Sequence, residues 1–245
     1  MIDVHTHVLP GIDDGARNTE MALSMLRESA KQGIKQVIAT PHFYAESDTP
    51  ESFIRRRDAA LAKLREATAG ENGFPDIISG AEISYFEGIG DCYEVRKLRI
   101  EGSKTVLLEM PMIPWNARMK REVWNIFDKM GTVPVIAHID RYMEAFRDKK
   151  IIDYFDEFPV VIQASSDFFV NKKTSALALK LLKKGKIHLI GSDMHNLTTR
   201  PQTLREAFGI IDKKLGRKAI EKIERMEAAV LAPTRRYIYA ELDLI

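Results

Sequence analysis

Two patterns of hydrophobic and polar positions alternate along the chain. Short runs rich in β-branched apolar residues, typical of strands, are separated by segments whose apolar residues recur at helical spacing. The strand-like runs are residues 1–5, 36–39, 77–79, 106–110, 133–138, 160–163 and 187–190. The helical segments are residues 19–32, 116–130, 172–184, 202–213 and 220–230. Thr19 is the expected cap of the first segment, and a further helix is expected to start at Thr49-Pro50. Strands that alternate with helices predict a largely parallel sheet, either open or closed as a barrel.

Polar side chains at the ends of these runs favour the closed barrel. In a barrel of parallel strands the carboxyl ends form one face, and residues distant in sequence converge there. An open sheet would spread the same residues along a line. The side chains that end or directly follow a predicted strand are His5, His7, His42, Glu82, Glu109, His138, Asp193 and His195.

These side chains, together with Asp14, form a set of donors suited to metal ions. All are nitrogen or oxygen donors and none is a thiolate, which suits Mn²⁺, Fe²⁺ or Zn²⁺ and argues against a structural cysteine-type zinc site. Nine ligands exceed the needs of one ion, so two or three ions are expected. Taken alone, each such histidine is more often a hydrogen-bonded structural residue, and Asp13-Asp14-Gly15 is also an ordinary turn sequence.

Length, charge and cysteine content limit the class of protein. The chain has 245 residues, 45% of them hydrophobic, which fits one domain spanning residues 1–245. A net charge of +2 and the lack of an interleaved basic and aromatic stripe argue against nucleic acid as a partner. A single cysteine fits a reducing compartment. No apolar run approaches a membrane span and no signal peptide is evident, so we expect a cytoplasmic protein without membrane insertion.

An ordered set of motifs resembles a known superfamily. The opening Asp-Val-His-Thr-His is followed by Thr-Pro-His at 40–42, Gly-Ala-Glu at 80–82, Leu-Leu-Glu-Met-Pro at 107–111, His-Ile-Asp-Arg-Tyr at 138–142 and Ser-Asp-Met-His-Asn at 192–196. Together these motifs resemble the PHP (polymerase and histidinol phosphatase) superfamily. More narrowly, they resemble the bacterial manganese-dependent protein-tyrosine phosphatases encoded with capsule and exopolysaccharide genes.

The resemblance implies a distorted (βα)₇ barrel of PHP type with a trinuclear metal site. It places His5, His7, Glu82 and Asp193 around one ion. It makes Glu82 a bridge to a second ion, which Glu109 and His138 also hold. It assigns Asp14, His42 and His195 to the third ion, and it matches Arg141 and Arg200 to the family's phosphate-contacting arginines.

The resemblance also implies an activity, a cofactor and a partner. The expected reaction is hydrolysis of phosphotyrosine by a hydroxide that bridges metal ions, with His42 as a candidate proton donor. Mn²⁺ is the expected metal, with Fe²⁺, Zn²⁺ or Co²⁺ as alternatives. The expected substrate is a tyrosine-phosphorylated protein, namely the tail of a bacterial tyrosine kinase that regulates capsular or exopolysaccharide synthesis. Residue 139 is Ile and residue 140 is Asp where the family has Pro and Glu, which weakens the inference of phosphotyrosine specificity.

Three other functions stay open at this point. They are a small-molecule phosphatase such as a histidinol-phosphate phosphatase, a PHP nuclease, and a non-catalytic metal-binding module. A cysteine-based tyrosine phosphatase is excluded, because residue 98, six positions after Cys92, is Leu where that class needs Arg. A lysine cluster at 180, 183, 184 and 186 is interpreted as a solvated helix end, with steering of an anionic phosphopeptide as the alternative.

Overall fold

The computed structural model describes residues 1–242, which form a parallel β-sheet structure surrounded by helices. The strands are β1 (Ile2–Thr6), β2 (Gln36–Ala39), β3 (His42–Phe43), β4 (Asp76–Ser79), β5 (Glu82–Ser84), β6 (Thr105–Glu109), β7 (Val133–Ile136), β8 (Val161–Ser165) and β9 (Leu189–Gly191). The α-helices are α1 (Thr19–Lys31), α2 (Pro50–Thr68), α3 (Ala117–Asp128), α4 (Ile139–Ala145), α5 (Ser166–Val170), α6 (Ser175–Lys183), α7 (Leu204–Leu215), α8 (Arg217–Val230) and α9 (Arg236–Glu241).

The strands occupy seven positions around a barrel. One sheet has the order β1-β2-β4 and the other the order β3-β5-β6-β7-β8-β9, with all pairs parallel. Strands β3 and β5 follow β2 and β4 after two-residue breaks, so they occupy the same positions in the ring. The ring closes where Asp193 N donates to His5 O at 2.8 Å and His7 N donates to Met194 O at 3.0 Å. The predicted (βα)₇ barrel is therefore confirmed.

The two strand breaks correct one part of the sequence prediction. His42 and Glu82 were expected just past the ends of strands, but they are the first residues of β3 and β5. The break before His42 contains Pro41, which has no N–H to give to a neighbouring strand. The chain resumes pairing at once, since His42 lies opposite Glu82 in register. This pairing brings the two side chains to one face.

The barrel has two hydrophobic layers. Inward-facing side chains such as Val4, Leu107 and Val161 form an inner cluster, which α8 covers at the amino-terminal end of the strands with Met226 and Val230. A larger cluster lies between the strands and the surrounding helices. Burial of these two layers supplies the main driving force for folding. The carboxyl-terminal face, which carries the polar residues, remains accessible.

A bulge in β1 turns His5 into the barrel, and His7 directly follows this strand. Asp3 pairs with Val37, but Thr6 pairs with Ala39, so β1 holds one extra residue. Side chains alternate between the two faces of a regular strand, and Val4 points into the inner cluster. Without the extra residue, the side chain of His5 would therefore point away from the barrel interior. The neighbouring strand leaves space for it, because a Cβ at Gly191 would lie 2.7 Å from His5 Cβ. The bulge and the glycine together place His5 at the centre of the barrel face.

Helix boundaries agree with the sequence patterns to within about a turn. The side chain of Thr49 accepts from Ser52 N at 3.2 Å, which confirms the predicted start of α2. The predicted cap Thr19 is wrong: Asn18 caps α1, and its side chain accepts from Met21 N. Short 3₁₀ helices, rather than an α-helix, connect β5 to β6. None of the helices within residues 1–242 is both long enough and apolar enough to span a membrane.

A buried carboxyl group at the amino-terminal end of the barrel makes stability depend on pH. Burial raises the pKa of Glu227 from 4.5 to about 7, although Ile2 N donates to it. Between those two values the unfolded chain ionises this group while the folded chain keeps it protonated. The contribution of Glu227 to the free energy of unfolding is therefore most favourable below pH 4.5 and is lost as the pH rises towards 7.

We expect Glu227→Gln to stabilise the metal-free protein at pH 8 but not at pH 5. The gain in the free energy of unfolding at pH 8 should be about 2 kcal/mol, because the amide removes the cost of a buried charge. Urea unfolding at the two pH values measures it. Glu122→Gln is the control, since Tyr85 and Arg118 donate to that carboxylate and its loss should destabilise. Equal effects of Glu227→Gln at both pH values would contradict this account.

Candidate metal centre

Four buried side chains present one ligand atom each around a common point. The four atoms are His5 Nε2, His7 Nε2, Glu82 Oε2 and Asp193 Oδ1. Five of the six distances between them lie in the range 3.1–3.4 Å. In a regular tetrahedron with such edges the centre lies about 2.0 Å from each corner, which is the bond length of an ion held by nitrogen and oxygen ligands. The site can therefore accept one divalent ion without rearrangement.

Glu82 extends from this group to a second one. Its Oε1 lies 2.9 Å from His138 Nε2, which is in turn 3.5 Å from Glu109 Oε1. Its Oε2 also lies 3.1 Å from His42 Nδ1. The two oxygens of one carboxylate thus face different sets of ligand atoms. This is the geometry that a bridge between two ions requires.

A third group lies nearer the mouth of the barrel. Asp14 Oδ1 is 3.2 Å from His195 Nε2 and 3.5 Å from His42 Nε2. The ring of His195 stacks beside that of His7 with 3.7 Å between the centroids. Asp14 is the most exposed of the nine predicted ligands, with 64% of its side chain accessible. All nine predicted ligands therefore converge on one face, and His42 touches two of the groups through its two nitrogens.

The hydrogen bonding of these groups fits bound metal. Several buried ligand atoms have no hydrogen-bond partner within residues 1–242: Glu82 Oε2, Asp193 Oδ1, His42 Nδ1 and His195 Nε2. Leaving so many buried polar atoms unpaired is costly in a folded protein. Divalent ions would satisfy each of them, so the donors present fit such ions.

Two of the predicted ligands have the charge state that metal binding requires. Burial would raise the pKa of Glu82, but His5 and His138 hold it well below its usual value. Burial, then the charges of His7 and Arg200, lowers the pKa of His195 to about 2. The carboxylate is therefore ionised and this imidazole is neutral at pH 7, the states in which both bind metal.

Asp13 supports the centre, and the sequence analysis interpreted it only as part of a turn. Its Oδ2 lies 2.7 Å from His7 Nδ1 and also accepts from His42 N at 3.1 Å. Burial alone would lower the pKa of His7, but the adjacent carboxylates of Asp13 and Glu82 outweigh it and raise the pKa to about 9. The turn is close, since a Cβ at Gly15 would lie 2.2 Å from His7 O. Asp13 thus fixes the His7 ring so that Nε2 faces the other ligands.

We expect Asp13→Asn to weaken metal binding without removing a ligand. Loss of the negative charge behind His7 should reduce its basicity, and the affinity for Mn²⁺ should fall about 10- to 100-fold. Competition with a chelating dye measures that affinity. Asp48→Asn serves as the control, because Asp48 lines the same mouth but pairs with Arg56. Equal affinities for the two variants would contradict this role of Asp13.

Two ligand-bearing residues have an unusual backbone. His138 has φ = 29° and Asp193 has φ = 53°, and neither is glycine. Non-glycine residues in this region cost of order 1–3 kcal/mol and persist where the surrounding structure holds them. Gln163 holds the first of them, since its Oε1 accepts from His138 N at 2.7 Å. The strained backbone directs both side chains into the centre.

Both predicted arginines lie at the entrance of the centre. Arg141 and Arg200 both donate to Asp193 Oδ2, and the Arg200 bond measures 2.6 Å. About one third of each arginine side chain is exposed, whereas Asp193 is buried. Tyr44 stacks on the ring of His42 with 5.3 Å between centroids and lines a cavity of about 410 Å³ together with Asp14, whose Oδ2 lies 3.9 Å from Arg200 Nη1. The entrance therefore offers two guanidinium groups and an aromatic surface.

Comparison with known proteins gives relatives of similar length. Tyrosine-protein phosphatase YwqE of Bacillus subtilis is 30% identical over 222 residues, covering 88% of this chain and 85% of the relative. Tyrosine-protein phosphatase CpsB of Streptococcus pneumoniae is 28% identical, covering 91% and 94%. A solved structure from a study of these two proteins, described as unique metal-dependent tyrosine phosphatases, matches with a TM-score of 0.84 and 26% identity over 96% of this chain and 95% of that one.

The model of one protein family covers almost the whole chain. It matches residues 1–232 and is described as capsular polysaccharide synthesis, CpsB/CapC. The match includes all six sequence motifs that suggested the PHP resemblance. The chain belongs to the CpsB/CapC family.

Proposed function

We propose that the protein is a metal-dependent phosphatase that hydrolyses phosphotyrosine on proteins. One observation carries the proposal: nine metal-ligand candidates, most of them buried, form one cluster, and two partly exposed arginines contact its Asp193. The relatives named above are tyrosine-protein phosphatases, which agrees with this arrangement. The retention of the entire set argues against a non-catalytic module.

Each group of residues has a role in this proposal. His5, His7, Glu82 and Asp193 would hold one ion, Glu109 and His138 would share Glu82 with a second, and Asp14, His42 and His195 would hold a third. Divalent ions held there would supply positive charge for the phosphoryl oxygens and would lower the pKa of a water molecule. Nitrogen and oxygen donors suit Mn²⁺, Fe²⁺ and Zn²⁺ alike, and Mn²⁺ is the proposed metal because the sequence motifs resemble those of manganese-dependent phosphatases.

The arginines would bind the phosphoryl group. Their guanidinium forks match phosphate oxygens in a bidentate manner, and they already converge on one carboxylate oxygen, Asp193 Oδ2. A phosphate entering the mouth would replace that contact. The aromatic ring of the substrate would then lie beside Tyr44, which stands at the same opening.

His42 fits the role of ligand better than that of proton donor. Burial lowers the pKa of its imidazole, so the ring is neutral at pH 7. A phenolate leaving group is a weaker base than an alkoxide and needs little protonation. The reaction therefore requires no acid from His42, and both of its nitrogens are left for ligation.

The biological setting follows from the family. The physiological substrate is proposed to be a tyrosine-phosphorylated protein, namely the tail of a bacterial tyrosine kinase in capsule or exopolysaccharide synthesis. We propose a cytoplasmic location, in accord with the single cysteine.

A parallel assay of four substrates tests the proposed function. The Mn²⁺-loaded protein would be compared on a phosphotyrosine peptide, the matching phosphoserine peptide, histidinol phosphate and single-stranded DNA. We expect the phosphotyrosine peptide to be hydrolysed fastest and the activity to be lost with EDTA and restored by Mn²⁺. Activity confined to histidinol phosphate or DNA would overturn the proposal.

A further inference from the structure

One lysine of the cluster noted in the sequence, Lys183, lines a second cavity that contains none of the predicted metal ligands. This cavity of about 320 Å³ lies between α6, α7 and α8, beside the amino-terminal end of β9. The metal ligands lie past the carboxyl end of the same strand. Four lysines line the cavity: Lys183, Lys214, Lys218 and Lys222. Its remaining surface is largely apolar and includes Leu182, Ile187, Leu215, Ile223 and Met226.

None of these four lysines forms an ion pair within the described part of the chain. The carboxylates nearby are already engaged: Glu221 and Glu224 pair with Arg217, and Asp156 pairs with Lys186. Lys218 and Lys222 are also four residues apart on α8, a spacing at which like charges repel. The cavity therefore concentrates positive charge that the folded chain leaves unneutralised.

Helix dipoles account for the positions of only two of the four lysines. Lys183 and Lys214 lie in the last turns of α6 and α7, where a cation is favourable. Lys218 lies in the first turn of α8, where the dipole disfavours a cation, and Lys222 lies one turn further on. A bound anion would offset both unfavourable placements.

The apolar wall limits what kind of anion fits. Leu182, Leu215 and Ala219 present partly exposed apolar surface to the cavity, whereas Ile187, Ile223 and Met226, which also line it, are almost fully buried. His188 lines the same cavity and is neutral at pH 7, because burial and then the charge of Lys222 lower its pKa to about 4. Inorganic anions would leave this apolar surface uncovered, whereas an anion with an apolar body would cover it.

We propose that this cavity binds an organic phosphate with a small apolar body, through Lys183, Lys214, Lys218 and Lys222 beside an apolar wall. Lysine ammonium groups suit phosphate as point charges. The same chemistry occurs in a soluble phosphorylated metabolite and in a phospholipid headgroup with its first methylenes. The site is separate from the metal centre and does not depend on the proposed phosphatase activity.

Alkylphosphonates test the proposal, since the carbon–phosphorus bond resists a phosphatase. Hexylphosphonate would be titrated into the full-length, metal-loaded protein, with the NMR signal of the Met226 methyl group as the local readout. Methylphosphonate tests the charge alone and hexanol tests the apolar body alone. We expect hexylphosphonate to bind at least about tenfold more tightly than either, because it uses both the lysines and the wall. No shift of the Met226 signal, or equal binding of methylphosphonate, would overturn the proposal.

Paired charge reversals localise the site. Lys218→Glu/Lys222→Glu should weaken hexylphosphonate binding about tenfold or more. Lys180→Glu/Lys184→Glu is the matched control, with the same spacing and charge change on exposed residues outside this cavity, and it should bind normally. Equal affinity of both variants would contradict the assignment. Sedimentation with phosphatidylglycerol vesicles, compared with phosphatidylcholine vesicles, then identifies the source of the phosphate. If the wild-type protein binds phosphatidylglycerol vesicles and Lys218→Glu/Lys222→Glu does not, the ligand is a lipid headgroup. If the wild-type protein binds neither kind of vesicle, the ligand is a soluble phosphate.

Discussion

Glu82→Gln is expected to cause the largest loss of metal and activity of any single substitution at the centre. The two oxygens of Glu82 face different ligand groups, and three imidazole nitrogens lie within 3.3 Å of Oε2. An amide has no negative charge and one poor ligand atom, so it cannot bridge two ions. We expect at least one ion to be lost and kcat/KM to fall about 10³-fold or more, because bound metal provides several kcal/mol of stabilisation to the transition state.

Metal analysis and phosphotyrosine hydrolysis of the same sample measure this prediction. Glu227→Gln is the matched control, as it makes the same change at a buried carboxyl group outside the centre. Glu227→Gln should keep normal metal content and kcat/KM. If Glu82→Gln retained wild-type metal content, Glu82 would not be a bridging ligand.

Arg200→Ala is expected to lower activity while leaving the metal in place. Its guanidinium stands at the mouth and donates to Asp193 Oδ2 at 2.6 Å, whereas Asp193 Oδ1 faces the ligand cluster. Removing one positioned donor to a developing charge typically costs about 10²- to 10³-fold in rate. We expect a loss of this size in kcat/KM for a phosphotyrosine peptide, with unchanged metal content.

The unchanged metal content separates two roles for this arginine. If Arg200 served mainly to hold Asp193 in place, its removal would release metal and activity together. Arg205→Ala provides the control, because Arg205 is exposed and its guanidinium donates to Lys31 O, away from the predicted ligands. A loss of metal in Arg200→Ala, with full metal in Arg205→Ala, would assign Arg200 a structural role.

Much of the fold and the composition of the site could be predicted because strand ends are visible in the sequence. Glu109 follows three apolar residues, and His138 follows the five-residue run 133–137, so each marks the carboxyl end of a buried strand. Parallel strands then bring these ends to one face. That geometry, together with donor chemistry, predicted the convergence of eight side chains, whereas Asp14, the ninth predicted ligand, lies in a bend rather than at a strand end.

Details that depend on backbone irregularities were not predictable. Three such features are not visible in the hydrophobic pattern of the sequence. They are the bulge that turns His5 inward, the strand breaks before His42 and Glu82, and the positive φ of Asp193. They arise from how distant strands pair. Asp13 was overlooked for a similar reason: its Asp-x-Gly context is common in turns, and only the folded chain shows that its carboxylate contacts His7.

The lysine cluster shows how a sequence pattern can divide in the folded structure. Lys180 and Lys184 are exposed, as the interpretation of a solvated helix end predicts, whereas Lys186 lies beyond α6 and pairs with Asp153 and Asp156. Lys183, three residues earlier, joins three lysines from other helices around a cavity. Neighbours in sequence thus acquire different surroundings because α6 ends between them.

Anomalous diffraction from Mn²⁺-loaded crystals tests the central claim most directly. The account predicts two or three manganese peaks at the carboxyl-terminal face of the barrel. One peak should lie among His5, His7, Glu82 and Asp193, and a second should lie on the other side of the Glu82 carboxylate. Crystals that show no peak at these positions, or manganese bound only elsewhere, would contradict the proposal that these residues form the catalytic metal centre.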